Sequence, residues 1–200
     1  MKIYLHFNIE TFSNSYLVVN ENTLEALIID PNKITTMLID QIEHGQYKLK
    51  AVFVTHKHEH HTEGLSTLKK IYDFDVYAAD AEISGEKNVL SGDGKIEVCG
   101  LEILYFSVPG HSSDSLVYKI GNEVFTGDVI SAALMGESSC SYNYRRLSNG
   151  IRTKIFSMPD SSLIFPGHGP LTSVGAEKMF NVELGEKRNW EEESGEPQEN

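Results

Sequence analysis

The 200-residue chain has little cysteine, few basic residues and no long apolar runs, and each scarcity excludes a class of protein. Two cysteines, Cys99 and Cys140, cannot build a disulfide framework, so both read as reduced thiols and the compartment as cytoplasmic. With 17 Lys and Arg against 29 Asp and Glu, the formal net charge of −12 has the wrong sign for a nucleic-acid binder. No stretch is long and apolar enough to span a bilayer, so no membrane partner is expected. The N-terminus, Met1-Lys2-Ile3-Tyr4-Leu5-His6, alternates like a strand and lacks the apolar block of a signal peptide. The remaining composition, 40% hydrophobic and 23% charged, is that of a globular protein, with a small molecule as the expected partner. The sequence is silent on oligomeric state.

What the chain does concentrate is histidine. Four of its eight histidines fall in one run, Thr55-His56-Lys57-His58-Glu59-His60-His61. The run follows the β-branched stretch Lys50-Ala51-Val52-Phe53-Val54-Thr55, which reads as a buried strand. Gly64 and the periodic segment after it read as a helix near 61–72. The histidines therefore occupy a strand-to-helix loop, where α/β proteins place their chemistry.

Strands are expected at 2–8 and 14–20, joined by a polar turn, and at 25–30, closed by Asp30-Pro31-Asn32. Residues 33–45 have helical spacing. A short strand at 76–78 and a ladder at 95–99, 101–108, 115–120 and 123–126 come next. A helix near 149–157, a strand at 162–165 and a helix near 173–180 complete the order. The ladder has no helices between its strands, which excludes a single parallel sheet. The pattern predicts an α/β (α+β) fold, a four-layer αββα sandwich. Residues 1–185 read as one domain, and 186–200, acidic with Trp190 as the only large apolar group, as a disordered tail.

Alternate residues of an extended segment point the same way, so His56 and His58 can meet one ion, while His60 and His61 lie further on and can face a second. Three later segments each end a strand in a turn with a ligand-capable residue: Val108-Pro109-Gly110-His111, Phe125-Thr126-Gly127-Asp128 and Phe165-Pro166-Gly167-His168. A glycine just before each ligand lets the backbone turn sharply as it leaves the sheet. The donor set suits Zn²⁺, as one or two ions, with Fe or Mn as the other candidates.

These motifs, in this order, resemble the metallo-β-lactamase fold superfamily, and within it small hydrolases of the glyoxalase II (hydroxyacylglutathione hydrolase) type. The likeness runs from Asn14-Ser15-Tyr16 to about Asn181. The resemblance implies the αββα sandwich with a metal site in a cleft between the sheet ends. It gives His56, His58 and His111 to a first metal, His61 and His168 to a second, and Asp128 to a bridge between them. One position departs from the family: His60 stands where an aspartate usually binds the second metal and holds the attacking hydroxide. As an imidazole His60 can still be a ligand, and with Asp128 it is the candidate for orienting that hydroxide.

The activity implied is hydrolysis by a metal-activated hydroxide, on a thioester such as an acylglutathione or on a related ester. Two alternatives follow from the same residues. His56, His111 and Asp128 could hold a single iron, as in the persulfide dioxygenases that resemble this fold, or His60 could mark a non-catalytic metal-binding module.

Other residues have ordinary readings beside functional ones. Asp30 either orders the histidine loop or makes an Asp-Pro turn, and Asn14 is divided between turn chemistry and support of the site. His6 and His44 read as structural or exposed. Ser112, Ser113 and Asp114 shape the loop after His111, since adjacent residues rarely converge as a triad. Cys140 reads as a thiol in a polar surface loop, Gly136 to Arg146. Tyr142, Tyr144, Arg145 and Arg146 in that loop are the candidates for substrate contact at the cleft rim. This loop departs from the Gly-Arg-x-Asp pattern of the small glyoxalase II-like enzymes.

Overall fold

The computed structural model describes residues 1–185, so the acidic segment 186–200, expected as a tail, lies outside the described residues. The first half of the chain runs β1 (Lys2–Asn8), β2 (Ser13–Val19), β3 (Glu25–Ile29), α1 (Thr36–His44), β4 (Lys48–Phe53), α2 (Glu59–Thr62), α3 (Leu65–Leu68), β5 (Asp75–Tyr77) and α4 (Ala81–Ser84). Its strands form one sheet in the order β1-β2-β3-β4-β5. The pairs β1·β2 and β2·β3 are antiparallel, while β3·β4 and β4·β5 are parallel and need the helical crossovers between them.

The second half runs β6 (Gly94–Val98), β7 (Leu101–Ser107), β8 (Leu116–Ile120), β9 (Glu123–Gly127), a small hairpin of β10 (Ile130–Ser131) and β11 (Leu134–Met135), α5 (Ser141–Gly150), β12 (Leu163–Pro166), β13 (Thr172–Ser173) and α6 (Val174–Phe180). Its large sheet has the order β13-β12-β9-β8-β7-β6, with β9·β12 as the parallel pair.

Side-chain alternation explains the layers. On β2, Tyr16 and Val18 point between the sheets, whereas Leu17 and Val19 point outward. The inter-sheet core joins Tyr16, Leu27 and Phe53 to Ile103, Tyr118, Phe125 and Phe165. A second core lies between the outer face of the first sheet and α1, with Leu38 and Ile42 one helical turn apart. A third lies under α5, where Leu147, Ile151 and Ile155 follow at four-residue steps against Val117, Val124 and Ile164. Three interlayer cores make four layers, the expected αββα sandwich. Strand β2 is buried along its whole length because both of its faces are covered.

Three local expectations are corrected. The helix near 61–72 is two single turns, α2 and α3, meeting at Gly64. There the Gly64 N–H donates to Pro31 O at 2.9 Å, and a Cβ would collide with Asn32 O and Ile34. The helix near 149–157 begins earlier, at Ser141, and passes into a π-helical turn at Ile151–Ile155. Its first turns are polar because only Leu147 of α5 is buried, which concealed the periodicity. The turn between β1 and β2 is not polar throughout, since it exposes Ile9 and Phe12.

Candidate metal centre

The strand ends β3, β4, β9 and β12 and the loop after β7 converge at one end of the sandwich. Thr55 leaves β4 and is met by the Leu116 N–H, which donates to Thr55 O at 2.8 Å. Asp128 follows β9 through Gly127, held at φ 50, where a Cβ would also run into the Thr55 hydroxyl. Gly167 matters for a different reason. Its φ is not left-handed, but a Cβ there would lie 2.5 Å from both Asp128 Oδ1 and His61 Cε1. Glycine at this position lets the His168 loop pass directly beneath the carboxylate.

Two groups of donors form. His56, His58, His111 and Asp128 offer ligand atoms that all lie within 4.8 Å of one another, as do those of His61, Asp128 and His168. In the first group His56 Nε2 and His58 Nδ1 are 2.9 Å apart, and His58 Nδ1 and His111 Nε2 are 3.2 Å apart. Imidazole nitrogens approach this closely only with a proton or a cation between them. The spacing is near the edge of about 3.3 Å that a tetrahedral zinc site with ~2.05 Å bonds would have. Asp128 Oδ2 is 3.8 Å from both His56 Nε2 and His111 Nε2 and 3.3 Å from His61 Nε2, while Oδ1 is 2.7 Å from His168 Nδ1. One carboxylate thus touches both groups. The donor chemistry and spacing fit a divalent ion.

His60 stands apart. It is exposed, belongs to neither group, and its ring lies 6.2 Å edge-on from that of His168. The chain turns helical at Glu59, so His58 and His61, three apart, share a face and His60 is rotated away from it.

Outer contacts orient three of the histidines. His111 Nδ1 donates to Glu137 O at 3.0 Å, which leaves its Nε2 lone pair facing the group. His61 Nδ1 donates to Asp30 Oδ2 at 3.0 Å. Asp30 also accepts from the Thr55 N–H and the Thr55 hydroxyl, both at 2.7 Å, and Thr55 Oγ1 accepts from His56 Nδ1 at 3.1 Å. Such hydrogen bonds fix the tautomer and direction of a ligating imidazole. Asp30 therefore does order the histidine loop, with its backbone in the left-handed region at φ 53. Thr55 and the Glu137 carbonyl were not singled out in the sequence. Thr55 had a signal in its place before His56, whereas a backbone carbonyl has none.

Asn14 supports the His168 loop. Its N–H donates to Gly167 O at 2.7 Å, and its side chain donates to Pro166 O and Gly169 O at 3.0 and 2.8 Å. Ser112 and Asp114 shape the loop after His111 as expected, and Asp114 also accepts from the Lys57 N–H at 2.9 Å. His6 is buried and His44 is exposed.

The electrostatics of the metal-free chain follow from burial and the shared carboxylates. Burial drives the His56 pKa down to about 2, helped by the neighbouring His61, so His56 stays a neutral donor. Burial and the nearby His111 lower His58 as well. Burial also works against charge on His61, but Asp30 and Asp128 outweigh it and lift its pKa to about 10. Burial would raise Asp128, yet hydrogen bonds from His168 and His61 hold it far below the usual carboxylate range. A protonated His61 between two carboxylates stands where the second group would otherwise hold part of a cation's charge.

The groups open into a cleft of about 360 Å³ lined by His111, Asp128, Ser131, Leu134, Glu137 and His168, among others. A larger cavity, about 560 Å³, lies against Met1, Leu101, Ile120, Glu102, Lys119 and Glu123 and includes none of the candidate metal ligands. Tyr142, Tyr144, Arg145 and Arg146 lie on α5 rather than in a loop, and none of them lines the cleft. Arg146 lines a separate groove with Asp93 and Lys154. Cys140 is exposed just before α5.

No family model matches the chain. It is 28% identical to a probable metallo-hydrolase of Streptococcus pyogenes serotype M6, over 90% of this chain and 89% of that protein. It is 30% identical to a hydroxyacylglutathione hydrolase of Dictyostelium discoideum over 77% of this chain, which spans only 61% of that relative. The solved structure of the BLEG-1 B3 metallo-beta-lactamase superposes with a TM-score of 0.81 at 23% identity, covering 92% of this chain and 99% of the other. The chain shares the fold of the metallo-β-lactamases. In sequence, the chain is similar to metallo-hydrolases and hydroxyacylglutathione hydrolases.

Proposed function

We propose that the protein is a metal-dependent hydrolase of a thioester, of the acylglutathione kind, or of a related ester, and that residues 1–185 work as one domain. The observation that carries this reading is the pair of donor groups sharing Asp128 at the mouth of a cleft. His56, His58 and His111 would hold a first ion, and His61 and His168 a second, with Asp128 common to both. Zinc is the metal that this nitrogen-rich set suits best. A divalent ion held there supplies Lewis acidity, lowering the pKa of water toward neutrality and polarising a carbonyl.

The chain's own groups do the positioning. The Glu137 carbonyl and the Thr55 hydroxyl hold His111 and His56 with their Nε2 atoms inward. Asp30 steadies His61 from behind. Asp128 accepts hydrogen bonds from both His61 and His168, which fix its carboxylate between the two donor groups. Among the described residues, Ser131 is the one serine or cysteine lining the cleft, and its hydroxyl makes no hydrogen bond to the histidines or carboxylates there. Water is therefore the expected attacking group.

The test is elemental analysis of the purified chain followed by a thioester and ester panel. The expected result is a ratio of one to two ions per chain and turnover that a chelator removes. A metal-loaded protein inert toward thioesters, lactones and phosphodiesters would refute the hydrolase.

A further inference from the structure

The β10–β11 hairpin stands against the metal centre, and its shape is set from outside the site. It pairs Ile130 with Met135 and Ser131 with Leu134, so Ala132 and Ala133 form the turn. Ala133 holds φ 65, a conformation that a Cβ disfavours and that turns usually give to glycine. It persists because both sides of the residue are held. The Ala133 N–H donates to the two carboxylate oxygens of Glu177 at 3.0 and 3.2 Å, and its carbonyl accepts from the Val182 N–H at 3.0 Å. Glu177 lies on α6, is buried, and also accepts from the Thr172 hydroxyl and the Asn181 side chain, each at 2.8 Å. A carboxylate can accept all of these bonds at once, whereas a glutamine there would turn its NH₂ toward one of the donors.

At its other end the same hairpin meets the ligands. The Gly136 N–H donates to Val129 O at 3.1 Å. A Cβ on Gly136 would collide with Asp128 O and lie 3.4 Å from His111 Cβ. The carbonyl of the next residue, Glu137, accepts from His111 Nδ1 at 3.0 Å. A short stretch of chain therefore joins the Glu177 carboxylate to the imidazole of His111, whose Nε2 lies 3.2 Å from His58 Nδ1.

We propose that Glu177 is a positioning residue of the metal centre. It fixes the β10–β11 turn, and through the Glu137 carbonyl it fixes the direction in which His111 presents Nε2 to the first donor group. This rests on the part of the hydrolase reading that makes the donor groups a metal centre, and on nothing about what is hydrolysed. Removing a group that orients a metal-binding histidine weakens metal affinity by about 10–100-fold. Glu177 acts one link further back, so the effect belongs at the lower end of that range.

The experiment titrates Co²⁺ into the metal-free full-length chain, reading affinity by competition with a chelator and ligand geometry from the visible absorption of the bound ion. Glu177→Ala should bind Co²⁺ about tenfold more weakly, with an altered spectrum. Glu177→Gln keeps the length and one acceptor oxygen and should recover most of both. Glu177→Asp keeps the charge but is one methylene short of Ala133, and it should behave like Glu177→Ala, so the test stands even where Glu177→Ala does not fold. Leu38→Ala empties part of the core beneath α1, on the far face of the first sheet, and should bind Co²⁺ as the parent does, which separates positioning from lost stability. In a His111→Ala background Glu177→Ala should weaken binding no further, because the path it acts through is already cut. Affinities of Glu177→Ala and Glu177→Asp within about twofold of the parent, well short of what loss of an orienting group costs, would overturn the proposal. So would an equal loss in Leu38→Ala, or an undiminished effect of Glu177→Ala in the His111→Ala background. The expected pattern in a protein that turns over no thioester or ester would instead refute the hydrolase and leave the role of Glu177 standing.

Discussion

Replacing Asp30 by asparagine isolates the buried electrostatics beneath the histidine loop. Asparagine tolerates the left-handed backbone found there, so the substitution leaves the turn intact and removes the charge. Asp30 is 2% exposed and accepts three hydrogen bonds, from the Thr55 N–H, the Thr55 hydroxyl and His61. An asparagine keeps one oxygen for the Thr55 N–H but turns an NH₂ toward a hydroxyl and an imidazole that both need an acceptor.

The lift of His61 from an ordinary 6.5 to about 10 corresponds to about 5 kcal/mol, shared by Asp30 and Asp128. Asp30→Asn should therefore cost the metal-free protein about 2–3 kcal/mol, in line with breaking one half of a buried ion pair. The pH dependence has a definite sign. A folded pKa above the unfolded one gives stability that is fully present below about 6.5 and lost as pH rises through about 10. The gap between parent and variant in urea unfolding of metal-free protein should be widest near pH 6 and narrow by pH 9.5. A difference under about 0.5 kcal/mol at pH 6, below the scale of a buried hydrogen bond, would refute the reasoning. So would a gap of constant size across that range.

Other substitutions test the rest of the site. Gly167→Ala should leave the chain folded but drive the Asp128 carboxylate and His61 apart, lowering the metal-to-chain ratio at an overpacking cost of about 1–3 kcal/mol. An unchanged ratio would mean that the second donor group does not hold an ion. His58→Ala should strip metal from the first group, whereas His60→Ala, altering an exposed ring outside both groups, should leave the metal content at the parent value by elemental analysis. Leu147→Ala should cost about 2–5 kcal/mol in chemical denaturation, because the side chain is fully buried under α5. It also packs against Gly110 just before His111, so metal affinity should fall with it.

How far the sequence could be read depended on whether a physical rule was local. Each ligand-bearing turn follows an apolar strand and a glycine, so the segments ending in His111, Asp128 and His168 announced themselves. The reason for glycine differed among them. Gly110 and Gly127 take positive φ as a sharp exit demands, but Gly167 is needed for clearance beneath Asp128, a constraint set by residues 39 and 106 positions away. The four layers were legible because the ladder from 95 to 126 has no helices between its strands, which a single parallel sheet would need; in the fold, β2 and β3 send alternate side chains to opposite cores.

His60 shows where local reasoning ended. Spacing alone grouped it with His61 toward a second ion, but α2 starts at Glu59, and the spacing of three then aligns His58 with His61. Whether a four-residue stretch turns helical depends on tertiary docking, here the Gly64 N–H on Pro31 O, more than on its own propensity. The same argument covers α5. Its buried stripe of Leu147, Ile151 and Ile155 begins only after two polar turns, so the tyrosines and arginines at its start resembled a loop near the cleft. Their helical placement sets them beside the cleft rather than in it.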